Sequence, residues 1–146
     1  MQISFGLFSI GIVFMMSIGL IINHSFGQQI TLDLTAPTIS ELYGGEKQGS
    51  LTIDVQNNTL SLTAFMDPTR QELQTYEGWL EDKGDASGYS LSLGKFDDDN
   101  SLRVNQTMVN PYTYTIFYVT SEPVNDPDPN PSDIVAAAKL PLPFGQ

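Results

Sequence analysis

Hydrophobic and polar residues alternate along most of the chain beyond its amino-terminal segment. In the runs 30–36, 50–56 and 59–65, leucine, isoleucine, valine or alanine occupies every second position, mostly separated by threonine, serine, aspartate or glutamine. A period of two places one face against a core and the other in water, which predicts antiparallel strands. Asn57 and Asn58 separate the second and third runs, and asparagine tolerates the positive φ angles of a tight turn. A hairpin is therefore predicted there.

The remainder of the chain continues the same pattern with breakers between the runs. Further strands are predicted at 76–82, 88–96, 100–105, 112–120 and 134–140, with glycine, proline, asparagine and aspartate clustered in the connections. About seven to eight short strands with regular turn signals are typical of an antiparallel β-sandwich. The predicted fold class is therefore all-β, with no internal repeat and no second domain.

The amino-terminal segment has a different character. Residues 3–22 contain no charged residue and no proline, and about 20 apolar residues in a helix span a hydrocarbon core of about 30 Å. We expect residues 1–27 to contain a hydrophobic helix that acts as a signal peptide or as a membrane anchor. Ser25 and Gly27 fit a signal-peptide cut before Gln28. Both alternatives place the rest of the chain outside the cytoplasm, either secreted or held at the plasma membrane through residues 3–22.

Charge and composition narrow the functional classes. The sequence has 17 acidic and 6 basic residues and a net charge of −11, all of it after residue 28. Such a chain repels phosphate backbones, so no nucleic-acid binding is predicted. Cysteine is absent, so the predicted domain has no disulfides.

The sequence does not contain the usual residues of nucleophilic or metal catalysis. Its single histidine, His24, lies in or just after the leader, and no histidine or cysteine follows. Histidine-based acid–base chemistry, cysteine nucleophiles and the common zinc and copper ligand sets are therefore excluded from the exported part. The sequence predicts a protein that is not an enzyme and has no obligate cofactor.

An acidic run provides the one candidate metal site. Asp97, Asp98, Asp99 and Asn100 carry oxygen ligands of the kind that Ca²⁺ prefers, but they do not form a 12-residue calcium loop. The same residues are common in hairpin turns, which is the alternative interpretation. Glu81 and Asp82 with Asp85 form a weaker candidate of the same kind.

Two surface features are candidates for binding. The segment 121–132 contains four prolines in twelve residues, which excludes a helix or a central strand and predicts a stiff, exposed, acidic loop. It either crosses between the last two strands or docks a partner. Trp79, the only tryptophan, is predicted to be buried in the core, with an exposed binding platform as the alternative.

Two triplets fit the acceptor pattern for N-glycosylation. These are Asn57-Asn58-Thr59 and Asn105-Gln106-Thr107. Asn57 and Asn105 are therefore candidate glycosylation sites.

Five elements in the middle of the chain follow one another in a recognisable order. They are a strand with Tyr76, Trp79, Leu80 and Asp82, a strand with Leu93, Gly94 and Phe96, the acidic turn and the strand after it, a strand ending in Glu122 and Pro123 before a proline-rich loop, and a closing strand. This order resembles the extracytoplasmic carboxy-terminal domain of anti-sigma-K factors of the RskA type. The resemblance covers about residues 49–142.

The resemblance implies an exported, non-enzymatic β-sandwich tethered by one membrane helix. With the apolar segment, it predicts a chain made of a signal peptide or membrane anchor (1–27), a first strand with its connection (28–48), the sandwich (49–142) and a short tail (143–146). Only Met1 and Gln2 precede the apolar run, whereas a full anti-sigma factor has a cytoplasmic sigma-binding domain there. We therefore expect no direct sigma-factor binding from this chain alone, unless another polypeptide supplies that half.

The sequence thus favours a sensing or interaction module at the cell envelope, with an envelope protein as its partner. A structural or adhesive surface protein, stabilised by Ca²⁺ at the acidic run, is the alternative.

Overall fold

A computed structural model of the chain describes residues 29–68, 73–82, 89–142 and 144. Within these residues it has eight strands and one short 3-10 helix at Pro111–Thr113. The strands are β1 (Ile30–Thr35), β2 (Lys47–Gln56), β3 (Thr59–Met66), β4 (Gln74–Asp82), β5 (Ser90–Lys95), β6 (Ser101–Thr107), β7 (Tyr114–Pro123) and β8 (Asp133–Lys139). None of the described residues belongs to a helix long and apolar enough to cross a bilayer. The predicted leader at 1–27 lies outside them.

All eight strands are hydrogen-bonded into one antiparallel sheet, in the order β5-β4-β7-β8-β1-β2-β3-β6. The predicted all-β class, the antiparallel pairing and the number of strands are confirmed. A sandwich consists of two sheets, whereas here a single sheet curls until its halves face each other. A methyl group added at Gly78 on β4 would collide with Leu102 on β6, the strand at the far end of the strand order. The two edge strands, β5 and β6, are consecutive in sequence, and the turn at 96–100 joins them.

The core lies inside this nearly closed sheet. The alternation predicted for 50–56 and 59–65 is confirmed, since every second residue from Leu51 to Val55 and from Leu60 to Ala64 is buried. Phe117 and Val119 on β7 are fully buried in the same cluster. Each such side chain stabilises the fold by about 1.5–3 kcal/mol relative to exposure, so apolar burial holds together a chain without disulfides.

The hairpin between β2 and β3 has the predicted two-residue turn. Asn57 has a φ of 50° and Asn58 a φ of 61°, and Gln56 pairs with Thr59 across the strands. Positive φ at both positions is the geometry whose twist matches a β-hairpin. The carbonyl of Asn58 also accepts a hydrogen bond of 2.8 Å from the backbone N–H of Met108.

Substitutions at Asn58 test this geometry. Asn58→Ala is expected to lower the free energy of unfolding by about 1 kcal/mol, because alanine adopts the left-handed region with strain. Asn58→Gly keeps that region accessible and is expected to match or exceed the parent stability. Urea denaturation of both variants checks this, and equal stability of the two would contradict the turn geometry.

The strand directions place the loops at two ends. We call the end where the described chain begins the proximal end. It also carries the 57–58 turn and the segment 108–113, because Ile30 pairs with Ile53 and Thr59 with Thr107. The opposite, distal end carries the loop 36–46, the acidic turn 96–100 and the proline loop, which we define as residues 124–132.

Candidate functional site

Both faces of β4 are covered. Leu80 packs into the main core, and Trp79 on the opposite face is only 4% exposed. Trp79 stacks on Tyr118 of β7, with ring centroids 6.2 Å apart and planes 7° from parallel. The burial predicted for Trp79 is confirmed, but it lies in a second, outer cluster and not in the main core. The alternative of an exposed platform is wrong.

The loop 36–46 covers this outer cluster. Leu42 and Tyr43 pack against it. The loop is held at its base by hydrogen bonds from Ala36 N–H to the Glu46 carbonyl (2.8 Å) and from Gly45 N–H to the Ala36 carbonyl (2.9 Å). Because this cover comes from a distant part of the chain, the alternation within β4 does not reveal it.

A chain of polar contacts runs from the outer cluster to the proline loop. The indole N–H of Trp79 donates to the hydroxyl of Thr120 over 2.9 Å. Thr120 in turn interacts with the Glu122 carboxylate and helps to lower its pKa. The Glu122 carboxylate also accepts the backbone N–H of Ser132 at 2.9 Å and the Ser132 hydroxyl. We call Trp79, Thr120, Glu122 and Ser132 the polar chain.

Glu122 is the charged centre of the polar chain and is only 2% exposed. Burial acts most strongly on its pKa and raises it, but the hydrogen bonds from Ser132 and Thr120 and the charge of Lys95 together lower the pKa below its ordinary value. Glu122 is therefore ionised at neutral pH and holds the end of the proline loop to β7. The sequence singles out Glu122 only as part of the family resemblance. The hydrogen bonds between Glu122 and Ser132 are not evident from the sequence.

Acid is expected to release this attachment. Because the pKa of Glu122 is lowered on folding, its contribution to stability is complete above the ordinary value of about 4.5. That contribution is lost as the pH falls through the lower pKa of the folded state. A pH titration of the Ser132 amide by NMR, from neutral to strongly acidic, checks this. The Glu122→Gln variant should lack that transition, and an identical titration in the variant would contradict the assignment.

The proline loop connects β7 with β8, as the crossover prediction states. Nearly all of its residues are exposed. Its backbone is organised by its own side chains, since Asp126 accepts from the Asp128 N–H (2.9 Å) and Asp128 accepts from the Asn130 N–H (3.0 Å). Fixed at its base by Glu122 and stiffened by prolines, this loop presents an ordered acidic surface.

The acidic run forms the predicted turn. The Asn100 N–H donates to the Asp97 carbonyl at 2.9 Å, and Asn100 has a φ of 55°. The hydrogen bond from the Ser101 hydroxyl lowers the pKa of Asp99 most strongly, followed by the hydrogen bond from Arg103, whose guanidinium lies 3.2 Å away. Arg103 also lies 3.8 Å from Asp97.

The calcium site proposed for Asp97, Asp98, Asp99 and Asn100 gains no support from this geometry. Ser101 and Arg103 already use both oxygens of Asp99. Among the described residues, no three histidine, cysteine, aspartate or glutamate side chains are grouped as a metal would need. Of the weaker candidate set, Asp85 lies outside the described part. Calcium binding stays a prediction.

A cleft of about 320 Å³ lies between the acidic turn and the start of the proline loop. Its walls are Gln74, Thr75, Tyr76, Phe96, Asp97, Asp98, Asn100 and Val124. Tyr76 and Phe96 form an edge-to-face pair with centroids 5.8 Å apart, and the Tyr76 hydroxyl donates to the Asp67 carbonyl. The cleft therefore joins an aromatic wall to two exposed carboxylates, a combination suited to a cationic side chain.

The residues of the family resemblance lie on neighbouring strands. Tyr76, Trp79, Leu80 and Asp82 are on β4, Leu93 and Gly94 are on β5, Phe96 follows β5, and Glu122 and Pro123 end β7. Because β4 lies between β5 and β7, the structure brings them into one region. The candidate glycosylation sites Asn57 and Asn105 lie at or near the proximal end instead.

No protein-family model matches the sequence, and neither the curated proteins nor the solved structures include a match to it. The resemblance to anti-sigma-K factors therefore stays a prediction.

Proposed function

We propose that this protein is a non-enzymatic interaction module of the cell envelope, which binds a protein partner through its distal end. The main support for this proposal is the attachment of the proline loop to β7. The loop is exposed to solvent, yet the buried Glu122 holds Ser132 at its base through two hydrogen bonds. A loop that is already ordered loses little conformational entropy on binding, which favours affinity.

The direction of the chain also supports the distal end as the binding surface. The apolar segment 3–22 leads into β1 at the proximal end. Whether that segment is a retained helix or a cleaved signal peptide, we propose that it directs residues 28–146 out of the cytoplasm. With a retained anchor, the proline loop, the acidic turn and the cleft point away from the membrane.

The charge of the distal end supports a basic partner. Asp97, Asp98, Asp126 and Asp128 all lie in its loops. Negative potential of this kind steers a positively charged protein surface towards the site and repels nucleic acids. The cleft beside Tyr76 is the place where a lysine or arginine side chain of that partner would insert.

The family resemblance adds a physiological setting. If the chain is related to the extracytoplasmic domain of anti-sigma-K factors, it works as a sensing domain. A neighbouring gene for a sigma factor would strengthen this setting.

Cell fractionation combined with labelling of one introduced thiol tests the location. The chain has no cysteine, so Asn130→Cys provides a single thiol on the proline loop. We expect a membrane-impermeant maleimide to label it in intact cells, or in the culture medium if the leader is cut. Mass spectrometry of the mature amino terminus then distinguishes cleavage before Gln28 from a retained anchor. Labelling only after lysis would overturn the proposal.

A further inference from the structure

The two N-x-Thr triplets lie side by side near the proximal end. Thr59 at the start of β3 pairs with Thr107 at the end of β6, and their hydroxyl oxygens are 3.1 Å apart. The acceptor asparagines nevertheless have different surroundings. One lies in a turn and the other lies within a strand.

Asn57 is readily accessible to an enzyme. Asn57 is exposed and occupies the first position of the two-residue turn. Its side chain makes no hydrogen bond to the part of the chain that the structure describes. Thr59 is the first residue of its strand, so releasing the triplet opens the turn and breaks the hydrogen bond from the Met108 N–H to the Asn58 carbonyl, while the rest of β3 stays paired. A local opening of this size costs less free energy than separating two strands.

Asn105 is exposed but held in place. Its side-chain amide donates to the Ser61 hydroxyl over 3.1 Å, and its backbone lies opposite Ser61 in the β3–β6 ladder. To enter the active site of a transferase, this triplet would have to peel away from β3. The amide nitrogen of Asn105 is thus less available than that of Asn57.

We propose that Asn57 is the N-glycan acceptor of the folded chain and that Asn105 is not. The Asn57 amide nitrogen would attack the anomeric carbon of a lipid-linked oligosaccharide. The carbon–oxygen bond to the lipid phosphate breaks, the lipid phosphate leaves, and the amide proton passes to a base of the transferase. In the cell this modification rests on the proposed export, because it requires contact with a glycan donor outside the cytoplasm. The glycan would lie at the end opposite the proline loop and leave that loop free.

Two matched variants separate the candidates. Thr59→Val and Thr107→Val break the same hydrogen bond between the two hydroxyls, but each removes a different acceptor triplet. The purified, folded full chain is incubated with a single-subunit oligosaccharyltransferase that accepts Asn-x-Thr and with a lipid-linked oligosaccharide. We expect one glycan on the parent chain and on Thr107→Val, and none on Thr59→Val, by intact-mass measurement and peptide mapping.

Several results would overturn the proposal. One is a glycan on Asn105 in the folded parent chain. Another is a folded parent chain that stays unmodified under conditions in which a peptide of residues 52–64 is modified. The Asn57→Gln variant, which lacks the proposed acceptor, is the negative control. Because the reaction uses purified protein, its outcome does not depend on location. A chain that remains in the cytosol would contradict the proposed function and leave this result unchanged.

Discussion

Replacing Trp79 with alanine is expected to lower the free energy of unfolding by about 4 kcal/mol, a value typical of a buried aromatic residue truncated to alanine. The substitution leaves a cavity beneath Leu42 and Tyr43 and removes the stack on Tyr118. It also leaves the buried Thr120 hydroxyl without its indole donor. Urea denaturation followed by far-ultraviolet circular dichroism measures the effect, because the variant has no tryptophan to report by fluorescence.

Tyr89→Ala is the matched control for this prediction. Tyr89 is an aromatic residue near the same sheet edge, but it is 58% exposed, so its loss is expected to change stability by less than about 1 kcal/mol. A cost for Trp79→Ala no greater than that of the control would show that the outer cluster is not packed. The tryptophan would then be free to act as a binding platform.

Replacing Glu122 with alanine is expected to lower the free energy of unfolding by about 3 kcal/mol. A hydrogen bond to a charged group contributes about 1.5–3 kcal/mol, and Glu122 accepts from the Ser132 N–H and from the Ser132 hydroxyl. These donors lose a buried partner, and the proline loop loses its attachment to β7. Denaturation followed by the fluorescence of Trp79 measures the loss, and faster hydrogen exchange at Ser132 reports the freed loop.

Glu46→Ala controls for the loss of a negative charge at the distal end. Glu46 is exposed, so its removal is expected to change stability by no more than about 0.5 kcal/mol. Glu122→Gln keeps the shape of the side chain without its charge. Its loss in the free energy of unfolding should lie between those of Glu122→Ala and Glu46→Ala. If Glu122→Ala were as stable as Glu46→Ala, the polar chain would have no structural role.

The strands could be predicted because their pattern is local. In the runs 50–56 and 59–65, every second residue is apolar and Asn57-Asn58 supplies the turn, so strand, face and register all follow from neighbouring residues. The acidic turn at 97–100 is predictable for the same reason. Its residue types favour positive φ and short hydrogen bonds within the turn.

The features that could not be predicted depend on distant parts of the chain. Alternation in β4 implies that either Trp79 or Leu80 faces solvent, yet the loop 36–46 covers the outer face and both are buried. The single sheet depends on the pairing of β1 with β8 and of β3 with β6, which no local pattern specifies. The contact between Glu122 and Ser132 likewise requires the register of β7 with β8.

Cross-linking in intact cells tests whether the ordered proline loop at the distal end engages an envelope partner. Asn130→Cys on the proline loop and Gln106→Cys near the proximal end each carry the same thiol-linked photo-cross-linker. We predict a covalent adduct with another envelope protein from Asn130→Cys, none from Gln106→Cys, and a weaker adduct when Glu122→Ala is added. Adducts from neither position, or equal adducts from both that are unchanged by Glu122→Ala, would contradict binding of a partner at the proline loop.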